Sequence, residues 1–351
     1  MQQKILIVGG AGYVGCVLVR ELLEHGYAVR ILDRLYYGEE GLADVRDRVE
    51  LIQADMRRMP SDVFQNIAVV INLGGLSNDP TAEYNPEANY EMNTLAAIRL
   101  AEQCIANGVP RYVLASSCSI YDRGVGNDEL DVLLDETSEV YPKAAYSSSK
   151  REAEVKLLEM KSERFVPVIL RKGTIYGFSP RMRYDLVINT FVRDALSKGF
   201  ITLHFGGEMW RPLVDVRDVA QAYILALQAD VEKVSGQIFN VVYRNFRISE
   251  LALRACEALK SVGVQCDLRP DYSYRGVRNY RVSGKKIERM LGFRPKVGIQ
   301  ESVVDMVENI RTRHYLDFDS PQYYNIQWMR LLEQAKQVID VTGSVFKAER
   351  E

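Results

Sequence analysis

Histidine is scarce in this chain of 351 residues: only His25, His204 and His314 occur, far apart. The five cysteines, Cys16, Cys104, Cys118, Cys256 and Cys266, form no C-x-x-C pair and no His/Cys cluster of zinc-binding spacing. No metal is expected. An odd, scattered set of cysteines reads as reduced thiols, so the expected compartment is the cytoplasm. Long hydrophobic runs are missing as well. None approaches the roughly 18 apolar residues of a membrane span. The run Ile5–Val8 is too short for a secretory signal and leads directly into a glycine motif. A dominant charge of one sign is also lacking. The formal net charge of −2 gives no basic field for nucleic acid, although local basic clusters would suffice for small anions.

What is present is an ordinary globular composition, 47% hydrophobic and 26% charged. The length suits one large domain or two that share an interface, with a core that needs no staples. Short apolar runs at Ile5–Val8, Ala28–Asp33, Val49–Ala54, Val69–Leu73, Tyr112–Ser116 and Val166–Leu170 read as strands. Helical patterns at Val14–Glu24, Asn93–Ala106 and Tyr146–Lys161 fall between them. This alternation predicts an α/β fold, a doubly wound parallel sheet of Rossmann type buried on both faces. Beyond Gly177 the pattern loosens into a smaller, discontinuous carboxy-terminal lobe. The expected division is residues 1–177 plus 213–243 for cofactor, 178–212 plus 244–315 for substrate, and 316–351 as an extension. Val214–Leu227 and Gln237–Val242 are expected to return to the main sheet. Ile326, Met329, Leu332 and Lys336 lie at helical spacing, as in a packing or subunit-contact helix.

Gly9, Gly12 and Gly15 sit between a strand and a helix, with Tyr13 and Val14 opening that helix. Glycines there allow a tight turn and close approach to a pyrophosphate, which the helix N-terminus favours electrostatically. Asp33 ends the second strand, where a carboxylate can accept both hydroxyls of an adenosine ribose. That favours NAD over NADP, although the adjacent Arg34 would suit a 2′-phosphate. Asp55, with Met56 after it, follows the third strand. It can meet an adenine amino group or serve as a loop cap.

Tyr146 and Lys150 form a Y-x-x-x-K pair on one helical face. An ammonium beside a phenol lowers its pKa from about 10 and fits the phenol as a general base. Ser117 follows a buried strand, where it can hydrogen-bond a reacting oxygen or merely form a turn.

In this order the motifs resemble the extended short-chain dehydrogenase/reductases, most closely the NAD-dependent nucleotide-sugar epimerases and dehydratases akin to UDP-galactose 4-epimerase. The resemblance covers about residues 4–312. It implies Tyr146 as base, Lys150 as its partner and ribose anchor, and Ser117 as oxygen donor. It further implies that Asn93 supports the site and that Leu73, Gly74 and Gly75 cover the pyrophosphate. Arg211 would touch the substrate nucleotide, and either Arg275 or Arg278 its diphosphate. Cys118 and Ser119 occupy positions beside the sugar, and Thr174 replaces the asparagine of the usual L-R-Y-F-N. Acidic residues needed for 4,6-dehydration are absent after Ser117. The basic stretch with Arg181 and Arg183 is expected to face the diphosphate or a carboxylated sugar. A C4 epimerase is the expected activity, with a 4-dehydrogenase or ketoreductase as the alternative and a non-catalytic or RNA-binding relative as the remaining option. The partner is a nucleotide-diphosphate sugar, with no nucleic acid or membrane, and the resemblance implies a homodimer.

Overall fold

The computed structural model describes residues 3–122, 132–273 and 278–343. Seven strands form one wholly parallel sheet. From one edge their order is Gln237–Val241, Val166–Lys172, Arg111–Ser117, Ile67–Asn72, Lys4–Val8, Ala28–Asp33 and Val49–Gln53. The order reverses direction at the first strand, so a crevice opens at the strand C-termini between the loops that leave to either side. The central strands are apolar on both faces because helices cover both. Tyr13–Glu24 and Val216–Gln228 pack on one face around Ile7, Val113 and Leu170. Ala96–Ala106 and Ala145–Glu159 pack on the other around Leu6, Leu114 and Ile169.

Of the stretch Val214–Leu227, only the helix returns to the main sheet. Val216, Val219, Ala220, Tyr223, Ile224 and Leu227 recur at helical spacing and bury one stripe. The strand before it, Trp210–Asp215, joins a separate three-stranded sheet, parallel to Thr174–Tyr176 and antiparallel to Arg244–Arg247. A second core gathers Tyr176, Tyr184, Phe191, Leu213, Phe246, Leu259 and Met306, and Tyr324 joins it. The helix Asn325–Thr342 follows. Among the described residues no helix is long and apolar enough to cross a membrane. The cysteines are less scattered than their numbering suggests: Cys256 Sγ lies 2.7 Å from Cys266 Sγ, both as free thiols.

Candidate active site

One cleft of about 330 Å³ runs along the strand C-termini, from the Gly9–Gly15 turn and Asp33 at one end to Ser117, Tyr146 and Lys150 at the other. Gly9 has φ +82°, and a Cβ there would stand 2.9 Å from Gly74 N. Only glycine lets these two loops approach so closely. Gly12, Tyr13, Val14, Gly15, Leu73, Gly74 and Gly75 complete this wall. Asp33 accepts the Ala11 and Leu35 N–H groups, each at 2.9 Å, which fixes its carboxylate toward the cleft. Burial raises its pKa, while these N–H groups oppose the rise. Arg34 also lines the cleft, but it is held 3.0 Å from Asp55 and lies over the Tyr36 ring. Ala54 and Met56 line the wall. Asp55 between them turns instead to Arg57, at 2.7 Å, and to Arg34.

At the other end, Ser117 closes its strand and caps the short turn Cys118–Tyr121 by accepting Ser119 N–H. Tyr146 and Lys150 project from the first turns of the helix Ala145–Glu159, with Lys150 Nζ 5.9 Å from the Tyr146 ring centre. Lys150 is almost fully buried, which draws its pKa down to about 8 against the opposing charge of Glu154. Burial pushes the Tyr146 phenol up, with Arg278 the largest opposing influence and a Ser117 hydrogen bond among the smaller ones. The direction is the reverse of that expected from a neighbouring ammonium alone. Desolvation in the half-buried cleft wall outweighs the charges.

Asn93 belongs to a π-helical turn, Glu91–Leu95, rather than to the α-helix that starts at Ala96. The extra residue aims its amide at Leu76 O, 2.9 Å, and Asn89 Oδ1, 2.6 Å. Its own Oδ1 is buried with no hydrogen-bond partner and faces Gly75.

Several expected substrate contacts lie elsewhere. The turn after Ser117 rotates Cys118 inward, where its thiol donates to Arg171 O at 3.2 Å. Ser119 is equally buried, with Ser147 Oγ donating to its hydroxyl at 3.1 Å. Neither lines the cleft. Arg211 stands outside the cleft lining, donating to Trp210 O and facing the Tyr280 ring. Arg275 falls outside the described residues. Arg278 does line the cleft, paired with Asp79 and Asp122. Thr174 lines it too.

Arg181 and Arg183, expected to face the diphosphate or a carboxylated sugar, both line the cleft. The loop after Gly177 that carries them is held against the start of the helix Tyr13–Glu24, because Ser179 Oγ and the Tyr13 hydroxyl tie Ser179 and Gly177 to Tyr13. Arg181 stacks 3.6 Å over Tyr37 and lies within reach of the Asp33 charge. Arg183 chelates Asp185 and faces the Tyr13 ring. Among the wall residues that sequence reasoning missed are Lys172, Asn325 and Met329. The unusual lysine in the L-R-K-G-T segment was a visible signal for the first; nothing signalled the other two.

A fixed carboxylate, a glycine turn under a helix N-terminus and a tyrosine–lysine pair in one cleft fit a dinucleotide. A family model described as the NAD dependent epimerase/dehydratase family matches residues 5–241. A putative UDP-glucose 4-epimerase of Methanocaldococcus jannaschii is 30% identical over 230 residues, 64% of this chain and 73% of its own. A UDP-N-acetyl-alpha-D-glucosaminuronate decarboxylase of Bacillus cytotoxicus is 26% identical over 325 residues, 89% of this chain and 98% of its own. The solved structure of the Thermus thermophilus UDP-glucose 4-epimerase in complex with NAD is 26% identical, with TM-score 0.73, covering 88% of this chain and 99% of that one. With the sheet, the glycine turn and the tyrosine–lysine helix in the same order, the chain belongs to the NAD dependent epimerase/dehydratase family and is an NAD-dependent enzyme of the extended short-chain dehydrogenase/reductase type.

Proposed function

We propose that this enzyme is a nucleotide-sugar epimerase acting at C4 through a transient 4-keto sugar. The observation that carries the reading is the meeting of Ser117, Tyr146 and Lys150 at one end of a cleft whose other end suits adenosine. Bound NAD supplies a hydride acceptor that later returns the hydride. The chain's part is proton handling and orientation. Ser117 donates to the sugar 4-oxygen and holds it beside Tyr146. The Tyr146 phenolate takes the hydroxyl proton and gives it back after the keto sugar has turned its other face to the cofactor. Lys150, still an ammonium near pH 7, stabilises that phenolate. Arg278 stands beside Tyr146 and favours the anion as well. It is also a candidate for the sugar-nucleotide diphosphate, since a guanidinium fork matches phosphate oxygens.

One observation favours a second reading, oxidation of a carboxylated sugar. Lys172 lines the cleft with no ion-pair partner among the described residues. An ammonium there suits a sugar carboxylate. A 4-keto uronate is a β-keto acid and loses carbon dioxide readily. The aligned decarboxylase of Bacillus cytotoxicus agrees with this reading.

The deciding experiment incubates the enzyme with UDP-, GDP-, dTDP- and CDP-linked sugars and uronates, following NADH absorbance and identifying products by NMR. A new stereoisomer without net NADH supports the epimerase. Net NADH with a keto sugar indicates a dehydrogenase, and release of carbon dioxide with a pentose indicates a decarboxylase. No conversion of any nucleotide sugar overturns the assignment.

A further inference from the structure

The carboxy-terminal helix lies across the cleft rather than away from it. The motif resemblance stops near residue 315. The Thermus epimerase is matched over 99% of its length yet accounts for only 88% of this chain. The helix Asn325–Thr342 touches both banks of the cofactor end. On one bank, Trp328 Nε1 donates to Tyr36 O, in the loop just after Asp33. On the other, Asn325 Nδ2 donates to Ser77 Oγ at 2.7 Å, and the Tyr84 hydroxyl donates to Glu333. Arg330 stacks over the Tyr84 ring at 4.9 Å. Asn325 and Met329, one turn apart, form part of the cleft wall.

A second observation concerns a cation in the cleft wall. Arg181 is 7% exposed and lines the wall, yet its Nε has no hydrogen-bond partner among the described residues. Its Nη2 donates to Asn325 Oδ1 at 2.7 Å, and its face lies on Tyr37. Asn325 N–H in turn donates to Asp185, which chelates Arg183. The first residue of the helix therefore fixes one guanidinium directly and another through a carboxylate. Burying a cation with an unused donor is costly unless an anion or acceptor meets it. Burial lowers the Arg181 pKa to about 10 and leaves it charged near neutrality.

We propose that this helix is a strap that completes the cofactor site. Asn325 holds the Arg181 guanidinium in the wall beside Asp33, at the adenosine end of the bound dinucleotide. Trp328 and Glu333 pin the strap to the two banks, so that the dinucleotide leaves only after the strap lifts. The cofactor is thereby kept through many turnovers. This suits a reaction that returns the cofactor unchanged, but the inference needs only the cofactor and not the identity of the sugar.

The test measures NAD release, not turnover. Protein loaded with NAD is passed rapidly into cofactor-free buffer, and retained NAD is quantified over time. The Asn325→Ala/Trp328→Ala variant is expected to release NAD at least tenfold faster than the wild type, and a chain ending at Tyr324 faster still. Asn325→Asp, which keeps an acceptor for Arg181, should release more slowly than Asn325→Ala. Thermal unfolding of the cofactor-free proteins shows whether each variant is folded. Should the shortened chain not fold, the point variants decide. Release at the wild-type rate from the folded double variant overturns the strap. That result would leave the sugar assignment untouched, because product identity is read in a separate experiment.

Discussion

Ser117 and Lys172 are register partners on adjacent strands, so a hydroxyl and an ammonium line the cleft at the same depth. Burial draws the Lys172 pKa down to about 7, and the like charge of Lys150 adds to the effect. Between pH 7 and the unfolded value near 10.5 the unfolded chain binds more protons, so stability rises with pH across that window. Below pH 7 the charged lysine exerts its full cost. Lys172→Met, free of cofactor, should therefore be more stable than the wild type at pH 6–7, by about 2 kcal/mol after discounting for water in the cleft. The advantage should shrink toward pH 10. Urea unfolding at several pH values measures it, and a pH-independent difference would contradict the assigned titration.

The cofactor preference rests on Asp33 and on the restraint of Arg34 by Asp55. NAD should bind far more tightly than NADP. Asp33→Asn should weaken NAD about tenfold, the loss of one charge-assisted hydrogen bond. Adding Asp55→Asn frees Arg34 and should improve NADP binding over the single variant. Calorimetric titration reads both affinities. A double variant with no gain toward NADP would show that Asp55 does not restrain the arginine.

Under the proposed reading Tyr146 takes the sugar proton, and Tyr146→Phe removes it. Turnover should fall by about 10³-fold, within the range for a lost general base, while NAD remains bound. Retained turnover would move the base elsewhere in the cleft.

The buried pair Arg171–Glu154 ties the strand Val166–Lys172 to the helix that carries Tyr146 and Lys150. Arg171 donates twice, at 2.9 and 2.6 Å, and also to the Tyr121 hydroxyl, while Ser116 donates to Glu154 at 2.5 Å. Arg171→Met removes the closest cation from a fully buried carboxylate and leaves it to Ser116 and to the half-exposed Arg151, 3.2 Å away. It should cost about 3–5 kcal/mol. Arg171→Met/Glu154→Leu should recover much of that loss in thermal unfolding, because neither charge is then left alone. Equal instability of the two variants would mean that packing, not charge, governs the site.

The parallel sheet and both ends of the cleft were legible because each is written in local sequence. Gly9–Gly15 lies between a strand and a helix, Asp33 ends a strand, and Tyr146 and Lys150 share one helical face. Arg181 and Arg183, which do line the cleft, show where that legibility thins. Their sequence neighbourhood says "basic loop", but their direction depends on where distant segments hold that loop. Ser179 and Gly177 tie it to Tyr13, more than 160 positions away, and Asn325 is further still from the first strand. Cys118 and Ser119 were misplaced for a smaller reason. A turn of four residues rotates consecutive side chains to different sides, and strand alternation does not continue through it. The tail gave helical spacing but no sign of what it covers, since amphipathicity reports a buried face and not its partner.

Gly75 is the position where the smallest change should have the largest reach. Its φ is +129°, a conformation that L side chains avoid, and a Cβ there would overlap Asn93 Oδ1 and stand 3.6 Å from Lys150 Nζ. Gly75→Ala must therefore strain the loop and displace the asparagine that Leu76 O and Asn89 hold in place. A loss of about 2–4 kcal/mol in stability is expected, with turnover reduced further because the methyl group also crowds Lys150. Asn93→Ala alone removes hydrogen bonds but no steric conflict. In the Gly75→Ala background it relieves the conflict, so the double variant should be more stable than the sum of the two losses by at least about 1 kcal/mol. Simple additivity in chemical unfolding would show that the loop moves away from Asn93 instead, and that Gly75 is required for its backbone conformation alone.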